Sequence, residues 1–237
     1  MFMRIWHNLN VVVYKLESRL IRGNLMFKKV SYKQILLLVI LVSQTILLGN
    51  LQTVSAASGF DGEKAAQWAL ENYENPSGKG YHDYSREGGD CTNFVSYALR
   101  YGGLPMEGAY KTPASTQVWW LRSVSIGLNR NSYTWSRANK LGTYLVAQEK
   151  ATHLQTISPY EKVNPEEFEL GDVIFISTHR SAGTAFHSMI VTEVNPDKVS
   201  VTYRNSSDYS PTKNKSLQDI VNDSSHSNHY FIQLRIK

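Results

Sequence analysis

The sequence predicts an α+β domain, and three observations lead there. Apolar residues recur at helical spacing as far as about residue 150, and from Glu169 they alternate as in strands. Helices come first and strands follow, joined by short turns, so the sheet is expected to be mainly antiparallel with the helices packed on it. No internal repeat or low-complexity linker divides the region.

The first 57 residues are read apart from that domain. Met26-Phe-Lys-Lys and Lys33 precede an apolar stretch from Ile35 to Leu48, and the small-residue segment Val54-Ser-Ala-Ala-Ser58 follows. A basic start, an apolar core and small residues at a cleavage point make a secretory signal peptide. Ser43, Gln44 and Thr45 interrupt the apolar core, which leaves it short for a stable membrane span; a retained anchor is the alternative. Met26 competes with Met1 as the true start. Cleavage after Ala56 leaves 181 residues, enough for one domain with a real core, and an exported, wall-associated monomer is expected. The leader holds seven of the 25 Lys and Arg and one of the 20 acids. The remaining 18 basic and 19 acidic residues are near balance, and no basic patch argues for nucleic acid.

Within residues 58–237, positions 62 to 73 read as an amphipathic helix with Ala65, Trp68, Ala69 and Asn72 on one stripe, ended by Asn75-Pro-Ser-Gly78. A polar, glycine-rich loop runs to Gly89. Asp90 is placed as an N-cap, and residues 91 to 101 form a second helix with Phe94, Val95, Ala98 and Leu99 inward and Asn93, Ser96 and Arg100 on the other side. Gly102-Gly103 stops it. Residues 111 to 150 read as mostly helical and irregular. Trp119, Trp120, Leu121, Val124 and Ile126 are expected in one buried cluster, with Leu141, Tyr144 and Leu145 in another. Strands are then predicted at Val173–Ile176, His187–Val194, Val199–Tyr203 and Phe231–Ile236, with turns at Leu170-Gly-Asp172 and Asn195-Pro-Asp197.

The chain has one cysteine, Cys91, so no internal disulfide can form. A lone thiol outside the cell is an oxidation liability, so Cys91 is either a small buried apolar residue or a required one. Its place in the first turn of a helix favours the second reading, because exposed N–H groups and the positive end of the helix dipole stabilise a thiolate. His187 begins a strand whose alternate residues Met189 and Val191 are apolar, and Val199, Val201, Tyr203 and Asn205 share a parity on the next. If those faces pack on the Cys91 helix, His187 and Asn205 point toward the thiol, as a base and its orienter must. Asn205 is the first choice as orienter and Asp208, beyond the alternating run, the second. The order Cys, His, Asn, with the nucleophile on a helix and its partners on strands, is the papain-type arrangement.

Asp90-Cys-Thr-Asn-Phe-Val-Ser-Tyr-Ala-Leu99 followed by Gly102-Gly103 resembles the nucleophile motif of an amidase domain found in secreted Gram-positive proteins. Leu170-Gly-Asp-Val-Ile174, His187-Ser-Met-Ile-Val-Thr192 and Asn214-Lys-Ser-Leu217 resemble that family's later motifs, in order. The resemblance spans roughly residues 61 to 236. The family is similar to the CHAP and NlpC-type hydrolases, which implies a papain-like fold and cleavage of amide bonds in peptidoglycan. Tyr97 stands where members tend to have Gln, and Asn205-Ser206 where they often have His-Thr.

The resulting expectation is a secreted cysteine amidase or endopeptidase with Cys91, His187 and Asn205 as its catalytic residues, needing no cofactor or metal. Two other classes stay open: an inactive wall-binding module of the same fold, and a transglutaminase-like enzyme using Asp208 as orienter. Each residue also has a plain alternative. Cys91 can be packing, His187 a hydrogen-bonded core histidine and Asn205 a turn residue. His153, His179, His226 and His229 are expected on the surface. A zinc site joining His226 and His229 to His187 has no matching ligand spacing. Trp68, Trp119, Trp120 and Trp135 are expected mainly in the core. The Cys91 N–H is expected to supply part of the oxyanion hole, with the second donor sought in Tyr81 to Asp90.

Overall fold

The computed structural model describes residues 59–74, 81–85, 89–108, 112–122, 130–205 and 211–237. The leader, Asn75 to Gly78, Val124, Ile126 and Asp208 lie outside the described residues. Among the described residues, no helix is long and apolar enough to cross a membrane.

Helix α1 (Gly62–Asn72) starts where the Asp61 side chain accepts a hydrogen bond from the Lys64 N–H, and it buries Ala65, Trp68, Ala69 and Asn72 as the periodicity predicts. Helix α2 (Cys91–Tyr101) follows, and the left-handed turn beyond it falls on Gly103, with φ of 100°. A two-rung antiparallel ladder joins β1 (Leu121–Arg122) to β2 (Arg130–Asn131), and α3 (Tyr133–Ser136) and α4 (Ala138–Ala147) come next. Six antiparallel strands then form one sheet: β3 (Ala151–Ile157), β4 (Val173–Ser177), β5 (Ala185–Asn195), β6 (Lys198–Tyr203), β7 (Thr212–Ser216) and β8 (Tyr230–Ile236). Helix α5 (Leu217–Val221) lies between β7 and β8 in the chain. The spatial order is β3-β8-β4-β5-β6-β7, so the C-terminal strand lies inside the sheet. The α+β class and the mainly antiparallel sheet are therefore as expected.

Two cores sandwich the sheet. On one face Val173, Phe175, Ile190, Ile232 and Leu234 pack with Trp68, Phe94, Leu99, Trp119, Trp135, Leu141 and Tyr144 from the N-terminal helical part. On the other face Ile174, Ile176, Met189, Val191, Val201 and Tyr203 pack with Leu217, Ile220 and Val221 of α5. Trp119 and Leu121 of the first expected group fall in one cluster with Leu141, Tyr144 and Leu145 of the second, because α4 and the Trp119 segment cover the same face.

Several expectations are corrected. Asn93 and Ser96 are buried rather than solvent-facing, because α2 is covered on that side as well. Asn93 Oδ1 accepts from the Trp135 indole at 2.8 Å, and Ser96 Oγ accepts from the Trp119 indole at 3.1 Å. Strands β3 and β7 escaped the reading because both lie at sheet edges. Their sequences, Ala-Thr-His-Leu-Gln-Thr-Ile and Thr-Lys-Asn-Lys-Ser, expose too many positions to show a clean apolar alternation.

The Leu170-Gly-Asp motif is structural. Gly171 has φ of 84°, and a Cβ there would meet Gly62 Cα at 2.5 Å, so only glycine lets the β4 turn touch the start of α1. Asp172 is buried and accepts from Gln233 Nε2 at 2.6 Å and from Arg235 Nε at 3.1 Å, tying that turn to β8.

Candidate active site

One cleft of about 560 Å³ collects Cys91, His187 and Asn205, together with Gly89, Ile176, Phe186, Met189, Tyr203, Lys215, Ile220, Ser225 and His226. The three residues singled out from the sequence thus line one cleft, but the sheet faces do not pack as expected. The Met189–Val191 and Val201–Tyr203 faces pack toward α5, not toward the Cys91 helix. The α2 side of β5 instead presents Ser188 and Ile190, and Ser188 Oγ donates to Thr92 Oγ1 at 3.1 Å. Cys91 reaches the His187 side because it is the first residue of α2, at the end of the helix rather than on its packed flank.

Strand β5 places the base. His187 sits opposite Ile176, one step before a bulge in the β4–β5 ladder. Its ring lies edge-on to Tyr203, with centroids 5.1 Å apart and planes at 89°. The half-buried Cys91 sulfur shares the cleft with the His187 imidazole and lies 3.6 Å from Thr92 Oγ1. Burial pushes the thiol up. The influence of His187 beside it, with the Thr92 hydroxyl and the Ser188 N–H, outweighs it, and the pKa is lowered to about 7. Asn205 lies beyond the end of β6, and among the described residues no hydrogen bond joins it to His187. The group set against the imidazole is the Tyr203 ring.

Asp90 occupies the N-cap position, but its side chain makes no capping bond. That carboxylate is fully buried and accepts from Arg204 Nε at 2.8 Å, the Tyr84 N–H at 3.0 Å, Asn93 Nδ2 at 2.8 Å and the Tyr81 hydroxyl. Arg204, 6% exposed, also donates to Asp83 at 2.9 Å and to the carbonyls of Tyr73 and Glu74 at 2.7 and 2.8 Å. One guanidinium therefore ties the residue before Cys91 to the residue before Asn205, to the 81–85 segment and to the end of α1. Sequence reasoning passed over Arg204. A strand-end arginine gives no periodic signal, and its partners are more than a hundred residues away.

His226 is a second correction. It is half-buried and lines the cleft instead of lying free on the surface. Its Nδ1 is 3.2 Å from His229 Nδ1. Burial, with His229 beside it, holds its pKa below the ordinary histidine value. Among the described residues no three His, Cys, Asp or Glu side chains gather as a metal site.

Compared with known proteins, residues 59–232 match the family described as "Putative amidase domain". The chain belongs to this amidase-domain family. The match takes in Cys91, His187 and Asn205, and the family points to amide hydrolysis. The uncharacterized protein YhbB of Bacillus subtilis (strain 168) is 31% identical over 117 residues, covering 48% of this chain and 32% of that protein. The chain thus spans about a third of the length of that relative. No solved structure matches this chain.

Proposed function

We propose that this amidase-domain protein is a secreted cysteine amidase or endopeptidase with a papain-like site, cleaving amide bonds in peptidoglycan stem peptides. The observation that supports it is the Cys91 thiol at a helix start, in one cleft with His187, with its pKa lowered to about 7. The proton passes from sulfur to imidazole, and the thiolate attacks the substrate carbonyl carbon. The resulting oxyanion takes a hydrogen bond from the Cys91 N–H at the free end of α2. Collapse breaks the C–N bond as His187 returns its proton to the leaving amine, and a thioester remains on Cys91. Water, deprotonated by His187, then releases the acid and restores the thiol.

The cleft's size suits a short peptide, with Ile176, Met189, Tyr203 and Ile220 as apolar walls and Lys215 and His226 as polar ones. Export is proposed from the leader, and the wall substrate from the resemblance to wall hydrolases. Asn205, which lines the same cleft, remains the proposed orienter of His187. The test is digestion of purified cell wall by the protein, with mass analysis of what is released. Soluble peptide fragments bearing new amine and carboxyl ends, lost with Cys91→Ser, are expected. Crosslinked products would favour acyl transfer, and an unchanged wall would overturn the hydrolase reading.

A further inference from the structure

We propose that Thr92 and Ser188 form a hydroxyl relay that holds the Cys91 sulfur as the thiolate, with Thr92 touching the sulfur and Ser188 positioning Thr92. The inference rests on the reading of Cys91 as nucleophile and adds two residues to it.

Both side chains are buried: Thr92 is 1% exposed and Ser188 fully enclosed. Buried hydroxyls need partners for their hydrogens. Ser188 Oγ spends its hydrogen on Thr92 Oγ1 at 3.1 Å. That bond occupies the Thr92 oxygen as acceptor and leaves its own hydrogen to be placed. Among the described residues the acceptor within reach is Cys91 Sγ, at 3.6 Å, inside the range for a hydrogen bond to sulfur. A neutral thiol is a weak acceptor and a thiolate a strong one, so a relay ending on sulfur favours the charged form.

The backbone shows why β5 can serve both the base and the anion. Consecutive residues of a strand point to opposite faces. His187 shares the cleft with the sulfur, while Ser188 acts from the α2 side through Thr92. The strand thereby holds the sulfur between the imidazole and a pair of hydroxyl donors.

The test is the pH dependence of Cys91 alkylation by iodoacetamide, measured on the purified protein with its melting temperature alongside. Wild type should show a midpoint near 7. Thr92→Val, nearly isosteric, should raise the midpoint by about one pH unit and slow alkylation about tenfold at pH 6. Thr92→Ser should keep the wild-type midpoint, and Ser188→Ala should fall between. The double variant Thr92→Val/Ser188→Ala strands no buried hydroxyl, so it gives the same reading if Thr92→Val folds poorly. A wild-type midpoint in Thr92→Val and in the double variant would overturn the relay while leaving Cys91 as nucleophile. So would a Thr92→Ser midpoint as high as that of Thr92→Val, because packing would then be the cause. A wild-type midpoint near the ordinary value of 9.0 would instead overturn the nucleophile reading itself.

Discussion

Removing the Arg204 guanidinium should be among the most damaging changes away from the sulfur. Arg204→Met keeps most of the side-chain volume and deletes the charge, the bond to Asp90 at 2.8 Å, the bond to Asp83 and the bonds to two α1-end carbonyls. Asp83 is half-exposed, so its pair contributes little. Asp90 is fully buried, and breaking a buried pair by removing one partner costs about 3–5 kcal/mol. The lower end is expected here, because Tyr81, Tyr84 and Asn93 still donate to the carboxylate.

The loss should also depend on pH. Burial already raises the Asp90 pKa above its ordinary value against those donors and Arg204, and without the guanidinium it rises further. An acid whose folded pKa is raised binds its proton more tightly when folded. Its burden on stability is full at neutral pH and is relieved as pH falls through the folded value toward the unfolded one. The gap between wild type and variant should therefore narrow on acidification from pH 7 toward 4. Urea unfolding followed by tryptophan fluorescence at several pH values measures this, with Trp68 and Trp135 buried in the same helical core. The double variant Arg204→Met/Asp90→Asn should recover part of the loss, since it leaves no orphan charge. A variant within about 1 kcal/mol of wild type at neutral pH, with no pH dependence, would refute the reasoning.

Cys91→Ser should abolish wall digestion with an unchanged circular dichroism spectrum, since Ser is nearly isosteric and starts helices well; activity within a few-fold of wild type would sink the cysteine mechanism. Asn205→Ala should slow turnover less than His187→Ala and add little once His187 is Ala, whereas a crippled Asp208→Ala beside a harmless Asn205→Ala would move the orienter to Asp208. Gly142→Ala should destabilise by about 1–3 kcal/mol in urea unfolding despite better helix propensity. The reason is that its Cβ would sit 2.6 Å from the Ala182 carbonyl oxygen. Protein secreted into medium should begin at Ala57 or Ser58 by N-terminal sequencing; Met1 or Met26 on cell-bound protein would mean a retained anchor.

Read alone, the sequence determined the features that depend on local pattern. Helix α2 was legible to the residue, because a polar loop, an Asp and a double glycine bracket one apolar stripe. The strands from Val173 to Tyr203 and the final strand were legible because buried strands show long apolar runs or clean alternation. Cys91 and His187 stood out from chemistry: one thiol at a helix start and one imidazole leading an apolar strand. Tertiary structure decided what alternation leaves open, namely which face of a strand meets which layer. Parity put His187 with Met189 and Val191, but only the packed sheet shows that this face belongs to α5 and that Cys91 meets it from the helix end. Asp90 could not be read correctly in sequence. An aspartate before a helix is indistinguishable from a cap until Arg204, 114 residues on, arrives to claim its carboxylate. Long-range polar partners leave no periodic trace, because a hydrogen bond selects a residue type and a position in space, and chain spacing encodes neither.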